Sequence, residues 1–188
     1  VQAVDALEFF LLGLGRTGHA RELLVHAEIV LEGDGRKRFA FLYRSDSSSS
    51  RIKMKGFKEG IAAAGLTLSE DSVKFCPNDI LLTKNILTDL YNDGISYDAI
   101  LTSEDSLAVA AVKFAGSMGL RIPVDLEIVG YNNSLLGICT EPELSTLDNH
   151  VETLSITTVN TLMRVLQGAD VPNKTMISND FIVRGTAY

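Results

Sequence analysis

Asp98-Ala99-Ile100-Leu101-Thr102-Ser103-Glu104-Asp105 runs directly into Ser106-Leu107-Ala108-Val109-Ala110-Ala111-Val112 and on through Met118 to Gly119. A short apolar run ends in a polar cluster, and an alanine-rich run with helical periodicity follows and stops at a glycine. That is a strand, a loop and a helix with its C-terminal cap. The same order recurs on both sides. Upstream, Arg38 to Tyr43 predicts a buried strand, Ser47 to Ser50 a loop, and Ile52 to Ala64 a helix ended by Gly65; a strand near Val73 to Cys76 and a helix from about Ile80 to Tyr91 come next. Downstream, Leu126 to Tyr131 predicts a strand, Val151 to Leu166 a helix ended by Gln167-Gly168, and Ile177 to Val183 a closing strand. Before these units, Leu7 to Leu12 is a strand candidate and Leu23 to Leu31 a helix candidate. Strands alternating with longer helices specify an α/β fold with Rossmann-like, mostly parallel sheet.

In such a sheet, ligands bind beyond the carboxyl ends of the strands, so the residues just after each strand carry the functional information. Here they are Ser103, Glu104 and Asp105, then Asn132 and Asn133, then Arg44, Asp46, the serines, Arg51 and Lys53. Carboxylates, amides and cations of this kind suit a small ligand covered with hydroxyls, because each planar group can bind two neighbouring hydroxyls. Structural roles compete at each position. Thr102 with Asp105 fits a capping box as well as a ligand contact. Asn132-Asn133 fits a turn, since asparagine tolerates left-handed backbone. Arg51 and Lys53 lie two apart, so on a helix only one of them faces the crevice.

Other chemistry is thinly supported. Gly13-Leu14-Gly15-Arg16-Thr17-Gly18 matches the G-x-G-x-x-G dinucleotide pattern, but of the acids beside the next strand Asp34 precedes it and Asp46 comes later than the pattern expects, and turn glycines account for the match more economically. His19, His26 and His150 are dispersed, and Gly116-Ser117-Met118-Gly119 lacks the spacing of a nucleophile elbow. No catalytic or metal constellation emerges, so the sequence predicts a non-enzyme without cofactor or metal. The two cysteines, Cys76 and Cys139, make neither a disulfide framework nor a metal pattern and read as reduced thiols. Seventeen basic against twenty-four acidic residues give a net charge of -7, which leaves no electrostatic footprint for nucleic acid or acidic lipid on this chain. No apolar run approaches the roughly 20 residues that cross a bilayer, and a cytoplasmic location is expected. The 188 residues open at Val1 without a methionine, which fits a piece of a longer protein.

Several motifs in fixed order resemble the effector-binding domain of the LacI/GalR (lactose-repressor) family. They are Leu101-Thr102-Ser103-Glu104-Asp105-Ser106-Leu107-Ala108, then Gly119-Leu120-Arg121-Ile122-Pro123 through Val129-Gly130-Tyr131-Asn132-Asn133-Ser134, then Pro142-Glu143-Leu144-Ser145-Thr146-Leu147, and Arg184-Gly185-Thr186. Upstream, Ala27, Leu31, Gly35 and Arg38-Phe39-Ala40-Phe41, followed by Arg51 to Phe57, fit the same pattern. The resemblance implies a two-lobed, periplasmic-binding-protein-like fold whose N-terminal lobe is incomplete here. Residues 1–188 would then form an effector-binding and dimerisation domain, with the helix-turn-helix that reads operator DNA lying outside this chain. It further implies a small carbohydrate-like effector in an interlobe cleft and a homodimer. By resemblance, Asp105 and Asn132 fall at effector-contacting positions, with Ser103, Glu104 and Asn133 beside them. Lys53 stands where the family often has arginine, with Arg51 as its possible substitute, and Asn132 stands where many members have aspartate. The Asn-Asn-Ser variant is similar to maltose-operon-type regulators, which points to a glucoside or maltose-like effector. Two alternatives remain: a stand-alone sugar receptor of the same fold, and a dinucleotide-dependent oxidoreductase using Gly13, Gly15 and Gly18.

Overall fold

A computed structural model describes residues 37–187. The expected strand at Leu7 to Leu12, the helix at Leu23 to Leu31, the glycine motif, His19 and His26 lie outside the described residues. In chain order the elements are β1 (Phe39–Tyr43), α1 (Ser48–Ala63), β2 (Val73–Phe75), α2 (Ile80–Asn92), β3 (Ala99–Thr102), α3 (Asp105–Met118), β4 (Glu127–Tyr131), β5 (Ser145–Asp148), α4 (Val151–Leu166) and β6 (Asp180–Ile182). Short 3-10 turns, Glu70–Ser72 and Leu135–Cys139, precede β2 and β5.

The sheet order is β2-β1-β3-β4-β5-β6, parallel throughout except for the antiparallel pair β5 and β6. The period-2 alternation of the strands builds the two faces. In β1, Phe39 and Phe41 join Phe57 and Ile61 of α1, while Ala40 and Leu42 join Leu107 and Ala111 of α3 on the other side. In β3, Leu101 faces the first cluster and Ile100 the second. The result is a three-layer lobe with strand order reversing at β1, so the crevice expected of a doubly wound sheet opens at the carboxyl ends of β1 and β3.

The four α-helices among the described residues stop by the same device. Gly65, Gly94, Gly119 and Gly168 take positive φ, and the next residue's N–H returns to the carbonyl five positions back: Leu66 to Ile61, Ile95 to Leu90, Leu120 to Ala115 and Ala169 to Arg164. This is the Schellman end, which only a left-handed residue can make.

The structure differs from the sequence expectations in three places. Ser47 to Ser50 is not a loop. Ser47 caps α1, its hydroxyl accepting from the Ser50 N–H at 3.2 Å, and Ser48 to Ser50 form the first turn. A serine run predicts a solvated loop, but serine at an N-cap starts helices equally well. Second, Ser145–Asp148 is a strand that composition hides, because two of its four residues are hydroxylic; Ser145 and Thr146 are nonetheless fully buried and hydrogen-bonded. Third, the closing strand shrinks to Asp180–Ile182.

Two predictions arise from the fold. Cys76 at the end of β2 is fully buried, and burial pushes its thiol up to about 11, whereas Cys139 is exposed. Under native conditions near pH 8, a thiol reagent is expected to modify Cys139 promptly and Cys76 only as fast as the fold opens; equal rates would contradict this core. The second concerns Asp98, whose carboxylate accepts from the Arg38 guanidinium and from the N–H groups of Lys37 and Arg38. Burial alone would raise its pKa, but these bonds together outweigh it and hold the group below its ordinary value. A lowered folded pKa stabilises the native state above the unfolded value of about 3.9, and that contribution fades as pH falls through the folded pKa. Asp98→Asn is therefore expected to flatten the loss of stability below about pH 4, read from urea midpoints; an unchanged slope would deny the clamp a role.

Candidate functional site

The carboxyl ends of β1, β3, β4 and β5 bring four loops to one crest of the sheet. Lys53 comes from the second turn of α1. Its ammonium donates to the Ser103 carbonyl at 2.8 Å and lies 3.3 Å from the centre of the Tyr131 ring. A cation over a tyrosine face is held by the ring's quadrupole. The Tyr131 hydroxyl in turn accepts from the Asn179 amide at 2.8 Å, tying the end of β4 to the segment entering β6. Arg51, on the same helix, turns away: it bonds the carbonyl and carboxylate of Asp46 within its own loop and stays largely exposed. One residue of the pair faces the crest, as helical spacing requires, and it is Lys53.

Glu104 is the N-cap residue of α3, and its carboxylate pairs with Arg44 from the end of β1 at 2.7 Å. The capping box between Thr102 and Asp105 does not form. Thr102 is still in the strand and its hydroxyl turns to the carbonyls of Glu104 and Val129, while Asp105 is the first helical residue. Asp105 is 1% exposed and reaches across the sheet. One carboxylate oxygen accepts from the Thr146 hydroxyl of β5 and the other from the Ser134 N–H after β4, both at 2.6 Å. Gly130 makes room for it: a Cβ there would stand 2.2 Å from the nearer oxygen of Asp105.

Asn132 and Asn133 both have positive φ, 111° and 48°. Their turn role is therefore real, and their side chains are engaged as well. The Asn132 side-chain oxygen accepts from the Asn149 amide at 3.2 Å. The Asn133 amide donates to Asp148 at 3.1 Å, and its oxygen accepts from Arg184 at 2.7 Å. The Asp148 carboxyl is held below its usual range by the His150 backbone N–H, against the opposing effect of burial and with help from Asn133.

Of the predicted residues, Lys53, Ser103, Glu104, Asp105, Asn132 and Asn133 come together, and Arg51 does not. Sequence reasoning missed Tyr131, Thr146, Asp148, Asn149 and Arg184. The signal for Asp148 and Asn149 was available in principle, since Asp148 ends β5 and Asn149 follows it, much as Asn132 and Asn133 follow β4.

Four buried side-chain atoms without a hydrogen-bond partner among the described residues sit at this end: the hydroxyls of Ser103, Ser106 and Ser134 and the side-chain oxygen of Asn149. Each such atom costs about 1–3 kcal/mol unless something completes it. Donors, acceptors, one aromatic ring and both signs of charge converge there. Among the described residues no group of three or more His, Cys, Asp or Glu could hold a metal, and no helix is long and apolar enough to cross a membrane.

Comparison with known proteins places these features in context. The family model described as the periplasmic binding protein-like domain matches residues 30–187. An HTH-type transcriptional regulator of Lachnoclostridium phytofermentans is 53% identical over 152 residues, 81% of this chain and 46% of that protein. Among solved structures, a lac repressor dimer bound to operator and the anti-inducer ONPF superimposes with a TM-score of 0.82 at 22% identity, over 90% of this chain and 58% of that one. A complex of the transcriptional regulator CelR with cellobiose gives a TM-score of 0.80 at 20% identity, over 90% and 52%. These two likenesses bear on the fold. The chain spans about half the length of the curated relatives it matches, 46% and 44% of the first two.

Proposed function

The chain belongs to the periplasmic binding protein-like domain family, and on that premise we propose that it is the ligand-sensing part of a LacI/GalR-type transcriptional regulator. It binds a small carbohydrate at the crest and passes occupancy to operator-reading heads that lie outside this chain. The observation that carries the reading is the convergence of Lys53, the Tyr131 ring, Glu104 and Asn132 at the carboxyl ends of the strands. A neutral polyol matches such a mixture of donors, acceptors and charge of both signs. Its hydroxyls both donate and accept, and its apolar ring faces suit an aromatic edge. The cellobiose complex of a structural neighbour favours a glucose-built disaccharide. In this reading Lys53, Glu104 and Asn132 touch the effector, with Ser103 beside them, while Asp105 and Asn133 hold the loops that present them. The protein is a sensor and not an enzyme, acts in the cytoplasm and uses no cofactor.

The crest is one wall of a cleft, and α4 supports a second. None of its sixteen residues is buried, yet Val151, Leu154, Ile156, Val159, Leu162 and Leu166 are large, apolar and about half exposed or more. An apolar arc of this width needs a covering layer, which a second lobe provides. Residues 1–188 thus act as the effector-binding and dimerisation part, and the apolar Leu135, Leu136 and Ile138 after β4 supply a face for a second copy. With differential affinity for two lobe arrangements, effector binding shifts their populations.

A thermal-shift and calorimetric panel of mono- and disaccharides, nucleosides, purines and nicotinamide dinucleotides tests this. A true effector at 100 times its dissociation constant adds about 2.7 kcal/mol of stability. Lys53→Ala is expected to weaken the sugar that binds by tenfold or more. Unchanged affinity in that variant would move the site elsewhere, and a dinucleotide as the sole hit would sink the sensor reading.

A further inference from the structure

A cavity of about 330 Å3 opens at the other end of the sheet, where the strands begin and α2 and α3 end. It is separated from the crest by the length of the strands, about 3.3 Å per residue. Its floor is the core itself: Leu87, Ile100, Phe114 and Leu126 line it and are at most 3% exposed. Its walls are the residues that follow the two helix-ending glycines, Ile95 and Leu120, together with the rings of Tyr91 and Tyr97. Both glycine turns swing the chain away from the helix axes, and the space between the two ends is left open between them. Tyr91 meets Phe114 edge to face at 5.8 Å between centroids, so an aromatic wall is already organised.

The charges at the rim are committed. Arg38 is engaged by Asp98 and Ser96, and Asp125 accepts from both the side chain and the backbone N–H of Arg121. The Tyr97 hydroxyl donates to the Asp71 carbonyl at 2.8 Å, which leaves its ring, not its hydroxyl, for the cavity. A charged guest would give up hydration without a free counter-charge to meet it. An uncharged ring gives up little and gains contact on several sides. The volume lies at the lower end of ligand-binding pockets, which run from roughly 300 to 1,000 Å3.

We propose that this cavity is a second ligand site, distinct from the crest, that takes a small uncharged aromatic molecule of one ring or a fused pair. The same helix, α3, lines this cavity through Phe114 and carries Glu104 and Asp105 at its other end, so a guest here braces the element that presents the crest residues.

Phenol and indole are the probes, with benzoate as the charged counterpart, titrated into the protein and followed by methyl NMR. The expected result is saturable shifts at Leu87, Ile95, Ile100, Leu120 and Leu126, with benzoate at least tenfold weaker than phenol. Ile95→Trp and Leu120→Trp fill the space from opposite walls, and each is expected to weaken phenol tenfold or more while the native melting transition persists. No saturable shift, shifts confined to the crest residues, or undiminished binding in both folded tryptophan variants would overturn the site. Benzoate binding as tightly as phenol would overturn the uncharged class. Should either variant lose its fold, the wild-type methyl map decides alone.

Discussion

Gly130→Ala is expected to destabilise the protein by about 3–5 kcal/mol, since an added Cβ there comes closer to its neighbours than at Gly137 or Gly185. The added Cβ would lie 2.2 Å from the Asp105 carboxylate, 2.7 Å from the Leu144 side chain and 3.2 Å from the Thr146 hydroxyl. None of these can yield cheaply. β4 is paired on both sides, by β3 and β5, so its backbone is fixed, and Asp105 is held by two short bonds to other segments. Overpacking costs about 1–3 kcal/mol, and displacing a buried carboxylate from its donor adds about 1.5–3. Gly116 in α3 is the control: a Cβ there meets nothing within 4 Å, so Gly116→Ala is expected to stabilise by about 0.5–1 kcal/mol through helix propensity. Urea midpoints at unchanged m-value measure both. A loss under about 1 kcal/mol in Gly130→Ala would mean that the Asp105 carboxylate does not occupy this position.

Asp105→Ala is expected to cost about 2–4 kcal/mol, well beyond the roughly 1 kcal/mol of a helix cap. It removes the acceptor for the Ser134 N–H and the Thr146 hydroxyl in a site that water does not reach. Asp105→Asn is expected to be milder, about 1 kcal/mol, because the amide oxygen still accepts from Ser134 and the amide nitrogen can donate to Thr146. The pair also separates two roles for Asp105. A positioning residue loses stability and effector affinity together, with the asparagine variant retaining much of both. A direct ligand contact would show as lost affinity in Asp105→Asn at near wild-type stability, and that pattern would contradict the placement of this carboxylate beneath the crest.

The units around β3 and α3 were legible because every local signal agrees there. An apolar run, a polar break, an alanine-rich helix and Gly119 give the same boundaries in sequence and structure, Asp105 to Met118. β5 was not legible as a strand. Its hydroxyls are buried by bonding to groups distant in sequence, Asp105 and Ala187, and no local pattern announces such partners. The same cause hid the depth of Asp105. Chain position brings it to this end of the sheet, but only the meeting of Gly130, Ser134 and Thr146 puts it under the surface. The choice between Lys53 and Arg51 needed the helix phase, which became certain once Ser47 was fixed as the cap.

The chain leaves the sheet through β5 and returns through β6, and these two strands are hydrogen-bonded neighbours running in opposite directions. Among the described residues, the path through α4 therefore leaves and re-enters the sheet by a two-stranded ribbon at its edge. A ribbon resists stretching and sideways shear because both would break its ladder, but it yields readily to torsion. Torsion about the β5–β6 axis is thereby the soft mode of this connection, and Asp148 and Asp180, paired across that ladder, stand at its pivot.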